Sequence, residues 1–206
     1  VPLRITESYL LCAVPLFMLM GQFGAVSGMS QALYAALRKW LGSLPGGLAI
    51  STIAGCAGFA AITSSSVVTA LTMSALAYPE MKRYGYSPAL STGSLAAGGT
   101  LGILIPPSMG FILYGILTEQ SIGKLFLAGF IPGVILASLF MLTIYLFCRR
   151  YPHLGPPGPS TTSREKLTAL RGTWEPLALF ALVMGGLYGG IFTATEAGAI
   201  GGFGAL

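Results

Sequence analysis

Charge is what this chain has least of. Only 8% of its 206 residues are charged, aspartate is absent, and the glutamates are Glu7, Glu80, Glu119, Glu165, Glu175 and Glu196. Against that, 54% of residues are hydrophobic and the mean hydropathy is +0.78. A soluble domain carries about 25% charged residues, so this composition excludes one and indicates an integral membrane protein. No glutamate falls at the centre of an apolar segment, which leaves a carboxylate proton relay without support. Histidine is nearly absent too: His153 stands alone, in a proline-rich stretch after Arg149 and Arg150. A serine nucleophile needs a base within hydrogen-bond reach, so an intramembrane hydrolase is disfavoured. Cys12, Cys56 and Cys148 are isolated in apolar stretches, without the paired spacing of a disulfide framework or a zinc site, and are expected to be buried thiols. The net charge of +5 sits in short connections rather than on one face, so nucleic acid is not a partner and charge here sets topology.

What the chain does have is apolar length, interrupted. Residues 44 to 79 run for 36 positions without a charge, yet hold the hydroxyl cluster Thr63, Ser64, Ser65 and Ser66 at their middle. One helix of that length would reach about 54 Å against a hydrocarbon core of about 30 Å. Basic pairs flank it at both ends, Arg38-Lys39 and Lys82-Arg83. Both pairs prefer the cytoplasmic side, so the segment is expected to enter and leave there, as a re-entrant hairpin with a polar tip inside the membrane. Two short full spans are the rival arrangement.

The remaining segments order around that hairpin. Ser8 to Gly28 is too long for a signal peptide and reads as a first span. Gln31 to Leu41 is amphipathic and is expected at the membrane surface. Ser87 to Leu117 crosses next, broken near its middle by Pro106-Pro107, and Leu125 to Phe147 returns. Tyr151 to Thr173, rich in proline and then serine and threonine, reads as a flexible cytoplasmic linker, after which Trp174 to Tyr188 leaves again. This order puts nine basic residues inside and two, Arg4 and Lys124, outside. The chain begins with valine and stops inside an apolar run, so a piece of a longer protein is expected. The fold class is an all-α polytopic membrane protein. Residues 1–148 form one unit, 149–173 the linker, and 174–206 the start of a second unit.

The two breaks carry the chemistry. Serines at 64 to 66 suit the cap of the second half-helix, whose first amides lack intrahelical partners and carry partial positive charge, an attraction for a carboxylate. The hydroxyls, with the last carbonyls of the first half-helix, also suit a hard monovalent cation. At the second break, residues 98 to 108, proline brings no amide hydrogen, so Pro106 frees the carbonyl of Gly102 and Pro107 that of Ile103. Thr100 and Ser108 add hydroxyl oxygens beside glycines that let backbone come close. A packing kink without a ligand fits this second break equally well on physical grounds. Glu80, beside Lys82 and Arg83, reads as a solvated interfacial residue, and Glu196 as a cap for the next helix.

The strings PLFMLMGQ, LPGGLAISTIAG, TSSSVVTA, YPEMKRYGYS, GTLGILIPPS and SIGKLFLAGFIPG occur in this order. They resemble the large membrane subunit of tripartite ATP-independent periplasmic (TRAP) transporters over nearly the whole chain. GGIFTATEAGAIGGFGAL resembles the opening of that family's second inverted repeat, and the family's subunit is about twice as long. The resemblance implies an elevator-type inverted-repeat symporter in the bacterial inner membrane. Sodium is its coupling ion, no cofactor is used, and the carboxylate substrate arrives on a periplasmic binding protein, with a small membrane subunit as partner. Carried onto this chain, substrate contacts fall to Ser64, Ser65, Ser66, Pro107 and Ser108, and sodium ligation to Ser64, Ser65, Thr100, Gly102 and Ile103. Two alternatives remain: a stand-alone sodium-anion carrier of related hairpin architecture, or a piece inactive without its other half.

Overall fold

Apolar, glycine-rich segments separated by prolines and hydroxyl clusters fold as short helices packed at close range. The computed structural model describes residues 12–158 and 161–206. Arg4, Glu7 and the start of the Ser8 span lie outside the described residues, as do Pro159 and Ser160 of the linker. Among the described residues there is no strand. The helices are α1 (Ala13–Val26), α2 (Met29–Leu41), α3 (Gly47–Thr63), α4 (Ser66–Arg83), α5 (Pro88–Leu104), α6 (Met109–Thr118), α7 (Ile122–Arg150), α8 (Ser163–Arg171), α9 (Trp174–Tyr188) and α10 (Ala194–Gly204).

The hairpin is present, and its first arm is the hub of the molecule. α3 buries all but three of its 17 residues, as expected of a helix apolar on every side. Small residues set the spacing around it. A β-carbon on Gly55 would lie 2.6 Å from the Met73 methyl of α4, and one on Gly98 of α5 would lie 2.6 Å from Cys56 Sγ. Close approach through glycine gives apolar helices dispersion contact where lipid offers no hydrophobic drive between them. The pairing of Gly55 with Met73 below and of Thr63 with Thr69 above makes α3 and α4 antiparallel.

Length decides which helices can cross a bilayer alone. α5 with α6 spans 31 residues and α7 spans 29, both long and apolar enough. α1 and α2 qualify only as a joined pair bent by 62°. α9, with 15 residues, is shorter than the full crossing expected of Trp174 to Tyr188. The amphipathic pattern of α2 also has a different cause from the one the sequence suggested. Leu33 packs on Gly58 and Tyr34 on Gly55, while the carbonyl of Leu37 accepts from the Ser51 hydroxyl at 3.2 Å. Its apolar face therefore seats on α3. α7 exposes Leu127, Ile131, Val134, Leu142 and Leu146 at helical spacing, an apolar stripe, and buries Phe126, Gly133, Ala137 and Cys148.

The expected flexible linker is instead tied down along its first eight residues. Gly46 N–H donates to Gly155 O, Ser87 N–H to Leu154 O and Gly158 N–H to Gly42 O, each at 2.9 Å. Beyond the break at 159, the Thr161 hydroxyl donates to Lys39 O and Trp40 Nε1 to Lys166 O at 3.1 Å, seating α8 against α2. Tyr86 adds a further tie, its hydroxyl accepting from Leu48 N–H, an orphan donor of the first turn of α3, at 3.1 Å. The first root of the hairpin and the start of α5 are thus held by one short stretch of chain.

Cys56 and Cys148 are buried as expected, but Cys12, at the N-cap of α1, is exposed. Glu80 is not simply solvated: it pairs with Arg38, joining α4 to α2, with side-chain exposures of 20% and 38%. Glu196 does cap α10, accepting from Thr193 N–H at 2.8 Å while Glu196 N–H donates back to Thr193 Oγ1 at 3.3 Å.

Candidate ion and substrate site where two helix breaks meet

The hairpin turns in two residues. Ser64 takes left-handed backbone (φ 55) as the C-cap of α3, and Ser65 is extended as the N-cap of α4, its hydroxyl accepting from Val68 N–H at a long 3.5 Å. The second break, Ile105 to Ser108, lies against this tip. Met109 N–H donates to Ser64 O at 3.4 Å. Gly102 is pressed so close that a β-carbon there would stand 2.8 Å from the backbone nitrogen and Cα of Ser66. On the far side Gly21 of α1 does the same, 2.7 Å from the carbonyl oxygen of Thr63. Two helix C-termini, of α3 and α5, and two N-termini, of α4 and α6, therefore converge. Carbonyl ends favour a cation and amide ends an anion.

The hydroxyls at the tip are unevenly used. Ser64 is 1% exposed, and the Oγ atoms of Ser64 and Ser66 are buried without a hydrogen-bond partner. A buried hydroxyl left unpaired costs free energy, so two within three residues single out the tip as a candidate ligand site. Gly102 presents a carbonyl to which Pro106 offers no donor. Ile103 differs: its freed carbonyl accepts from the Ser108 hydroxyl, which is wholly buried. Thr100 is exposed and gives its proton to Ala97 O at 2.6 Å. Pro106 and Pro107 are buried at the break.

Of the residues singled out from sequence, Ser64, Ser65, Ser66, Gly102, Pro107 and Ser108 gather at one place. Ile103 gathers there by its capped carbonyl, while the Thr100 hydroxyl is bound to its own helix. The threonine pair Thr63 and Thr69, with oxygens 2.7 Å apart across the hairpin, escaped the sequence reading. Six residues of separation carry no signal until the hairpin is closed. No group of three or more His, Cys, Asp or Glu side chains that could hold a metal occurs among the described residues. His153 sits near the start of α5, by way of the Leu154–Ser87 bond, roughly 20 Å along that helix from the tip serines.

Broken apolar helices meeting backbone to backbone around unpaired hydroxyls define a membrane transport protein rather than an enzyme. The chain belongs to the family described as tripartite ATP-independent periplasmic transporter, DctM component, whose model matches residues 3–206. It is 39% identical to the C4-dicarboxylate TRAP transporter large permease protein DctM of Pseudomonas aeruginosa, covering 95% of this chain and 45% of that one. It is 36% identical to the isethionate TRAP transporter permease protein DctMQ of Oleidesulfovibrio alaskensis, covering 96% of this chain and 31% of that one. It is 35% identical to the ectoine TRAP transporter large permease protein TeaC of Halomonas elongata, covering 92% and 44% respectively. The chain thus spans less than half the length of these relatives.

Proposed function

We propose that this chain supplies the first hairpin and first broken helix of a large permease subunit that couples sodium influx to uptake of a small organic acid across the bacterial inner membrane. The observation that carries the reading is the pair of buried, unpartnered oxygens, Ser64 Oγ and Ser66 Oγ, at a tip against which Gly102 is pressed. Neutral oxygens from hydroxyls and carbonyls are the ligand set of an alkali cation, and with no carboxylate among the residues at the tip a proton has no carrier there. The adjoining N-terminus of α4 suits the substrate's anionic group.

The relatives' names cover a dicarboxylate, a sulfonate and a zwitterionic carboxylate, so the tip recognises an oxyanion and the wider cavity sets the rest. The other half of that cavity belongs to the remainder of the subunit. A periplasmic binding protein delivers the substrate, and a small membrane subunit completes the assembly. The protein is multi-pass, an inverted-repeat transporter of the elevator type.

The test is uptake of radiolabelled organic acids into proteoliposomes holding the full-length subunit and its small partner, with and without binding protein and an inward sodium gradient. Uptake that needs both is the expected result. Sodium-driven uptake without binding protein would assign the chain to a stand-alone anion carrier, and uptake indifferent to sodium would remove the ion reading.

A further inference from the structure

We propose that Thr69, through Thr63, is a positioning residue that holds the hairpin tip in the shape able to take an ion; the inference rests on the sodium reading of that tip. Both side chains are buried, Thr63 at 2% exposure and Thr69 at 0%, and their oxygens stand 2.7 Å apart. Each hydroxyl has one proton to give. Thr63 Oγ1 reaches Phe59 O, one turn back on α3, at 3.2 Å, and Ser65 O only at 3.5 Å. With the Thr63 proton on Phe59, the Thr69 proton fills a lone pair of Thr63. The second arm is then fastened by a chain of two hydroxyls to the backbone of the first. Thr69 N–H also donates to Ser65 O at 3.0 Å, so the same residue fixes the turn from its backbone.

The brace is needed because of what lies inside it. Ser64 holds a left-handed backbone that a residue with a β-carbon rarely adopts, and such a conformation persists only where its surroundings impose it. Here the surroundings are the threonine pair and the 3.4 Å bond from Met109 N–H to Ser64 O. Ser64 Oγ and Ser66 Oγ, the two unpartnered oxygens, sit between Thr63 and Thr69 in sequence. If the brace is removed, the turn gains alternative shapes and the ion must pay for ordering them, which lowers its apparent affinity by the fraction of tips still competent. Thr69 is fully committed to Thr63 and Ser65, and it acts on the ion only through the tip.

Thr69→Val keeps the shape and deletes the hydroxyl; Thr69→Ser keeps the hydroxyl. In proteoliposomes of the full-length transporter with its small subunit, Val is expected to raise the sodium concentration for half-maximal uptake roughly tenfold, a loss recovered at saturating sodium, with Ser within about twofold of wild type. Wild-type behaviour of the Val variant, or equal damage from Val and Ser, overturns the proposal. Amide hydrogen exchange of residues 64 to 69, measured in sodium-free detergent, gives a readout independent of transport: Val should exchange faster than wild type, and unchanged exchange overturns the brace. Should wild-type uptake ignore sodium, the positioning role falls with the ion reading, while the exchange result still decides whether the brace exists.

Discussion

Replacing Gly102 with alanine tests the contact between the two breaks most directly. A β-carbon there would lie 2.8 Å from Ser66 N and Cα and 2.9 Å from Ser65 C. Carbon atoms pack best at about 3.5–4.0 Å, and all three neighbours are backbone, so no rotamer change relieves the overlap. Overpacking of this kind costs about 1–3 kcal/mol. A central value of about 2 kcal/mol is a factor of roughly 30 in an equilibrium, since about 1.4 kcal/mol is tenfold. Gly93 lies on the same helix with no atom within 4 Å of its would-be β-carbon, and it provides the matched control. Alanine there exchanges a poor helix former for the best one and should stabilise by about 0.5–1 kcal/mol. Thermal unfolding of the detergent-solubilised full-length protein, followed by a sodium titration of uptake, should rank Gly102→Ala below wild type in both and Gly93→Ala at or above it. If Gly102→Ala melted with the wild type and titrated at the same sodium midpoint, α5 would not press on the tip and the site drawn from that contact would be wrong.

Two further outcomes concern the second break and the cap of α8. Ser108→Ala removes the donor to Ile103 O, a carbonyl that Pro107 cannot serve, and should cost about 1–2 kcal/mol in thermal stability. Thr100→Ala, which removes only a supplementary bond to Ala97 O, should stay within about 0.5 kcal/mol, and equal losses would deny the proline argument. At α8, hydrogen bonds from the Thr162 side chain and backbone hold the Glu165 carboxyl below its ordinary range. A depressed folded-state pKa contributes stability above the unfolded value that is lost as pH falls through the folded one. Protection of the first-turn amides of α8, corrected for intrinsic exchange, should therefore be constant from neutral pH down to the ordinary carboxylate range and fall below it; protection that persists into strong acid would show that the cap contributes nothing.

The hairpin, the broken crossing and their hydroxyl tips were legible in the sequence because each rests on a local rule: a span too long for the membrane, charges that must share a side, a proline with no proton to give. The Glu196 cap was legible for the same reason, since Thr193 and Glu196 are three residues apart. What escaped was non-local. The moment of α2 reports that one face is apolar but not what covers it, and α3 turned out to do so. Cys12 could not be placed from its apolar neighbours in sequence, because exposure is set by packing in space. Proline and serine after Tyr151 have the composition of slack chain, yet three backbone bonds to Gly42, Gly46 and Ser87 fasten it, and such bonds leave no trace in side-chain pattern. At the site, the freed carbonyls of Gly102 and Ile103 were foreseen from the prolines. That the Ser108 hydroxyl closes one of them and leaves the other open depends on a side-chain direction that spacing alone does not set.

Those three bonds bear on how the protein can be handled. Surface loops between membrane segments are the usual places to insert a fluorescent protein, an epitope or a protease site, because most tolerate extra length at little thermodynamic cost. The stretch from Tyr151 to Gly158 is an exception: an insertion there would prise Leu154 from Ser87 and Gly155 from Gly46, loosening the anchorage of a hairpin whose tip lies roughly 25 Å away along α3. A tag meant as a passive reporter would become a perturbation of the very element it was placed to observe.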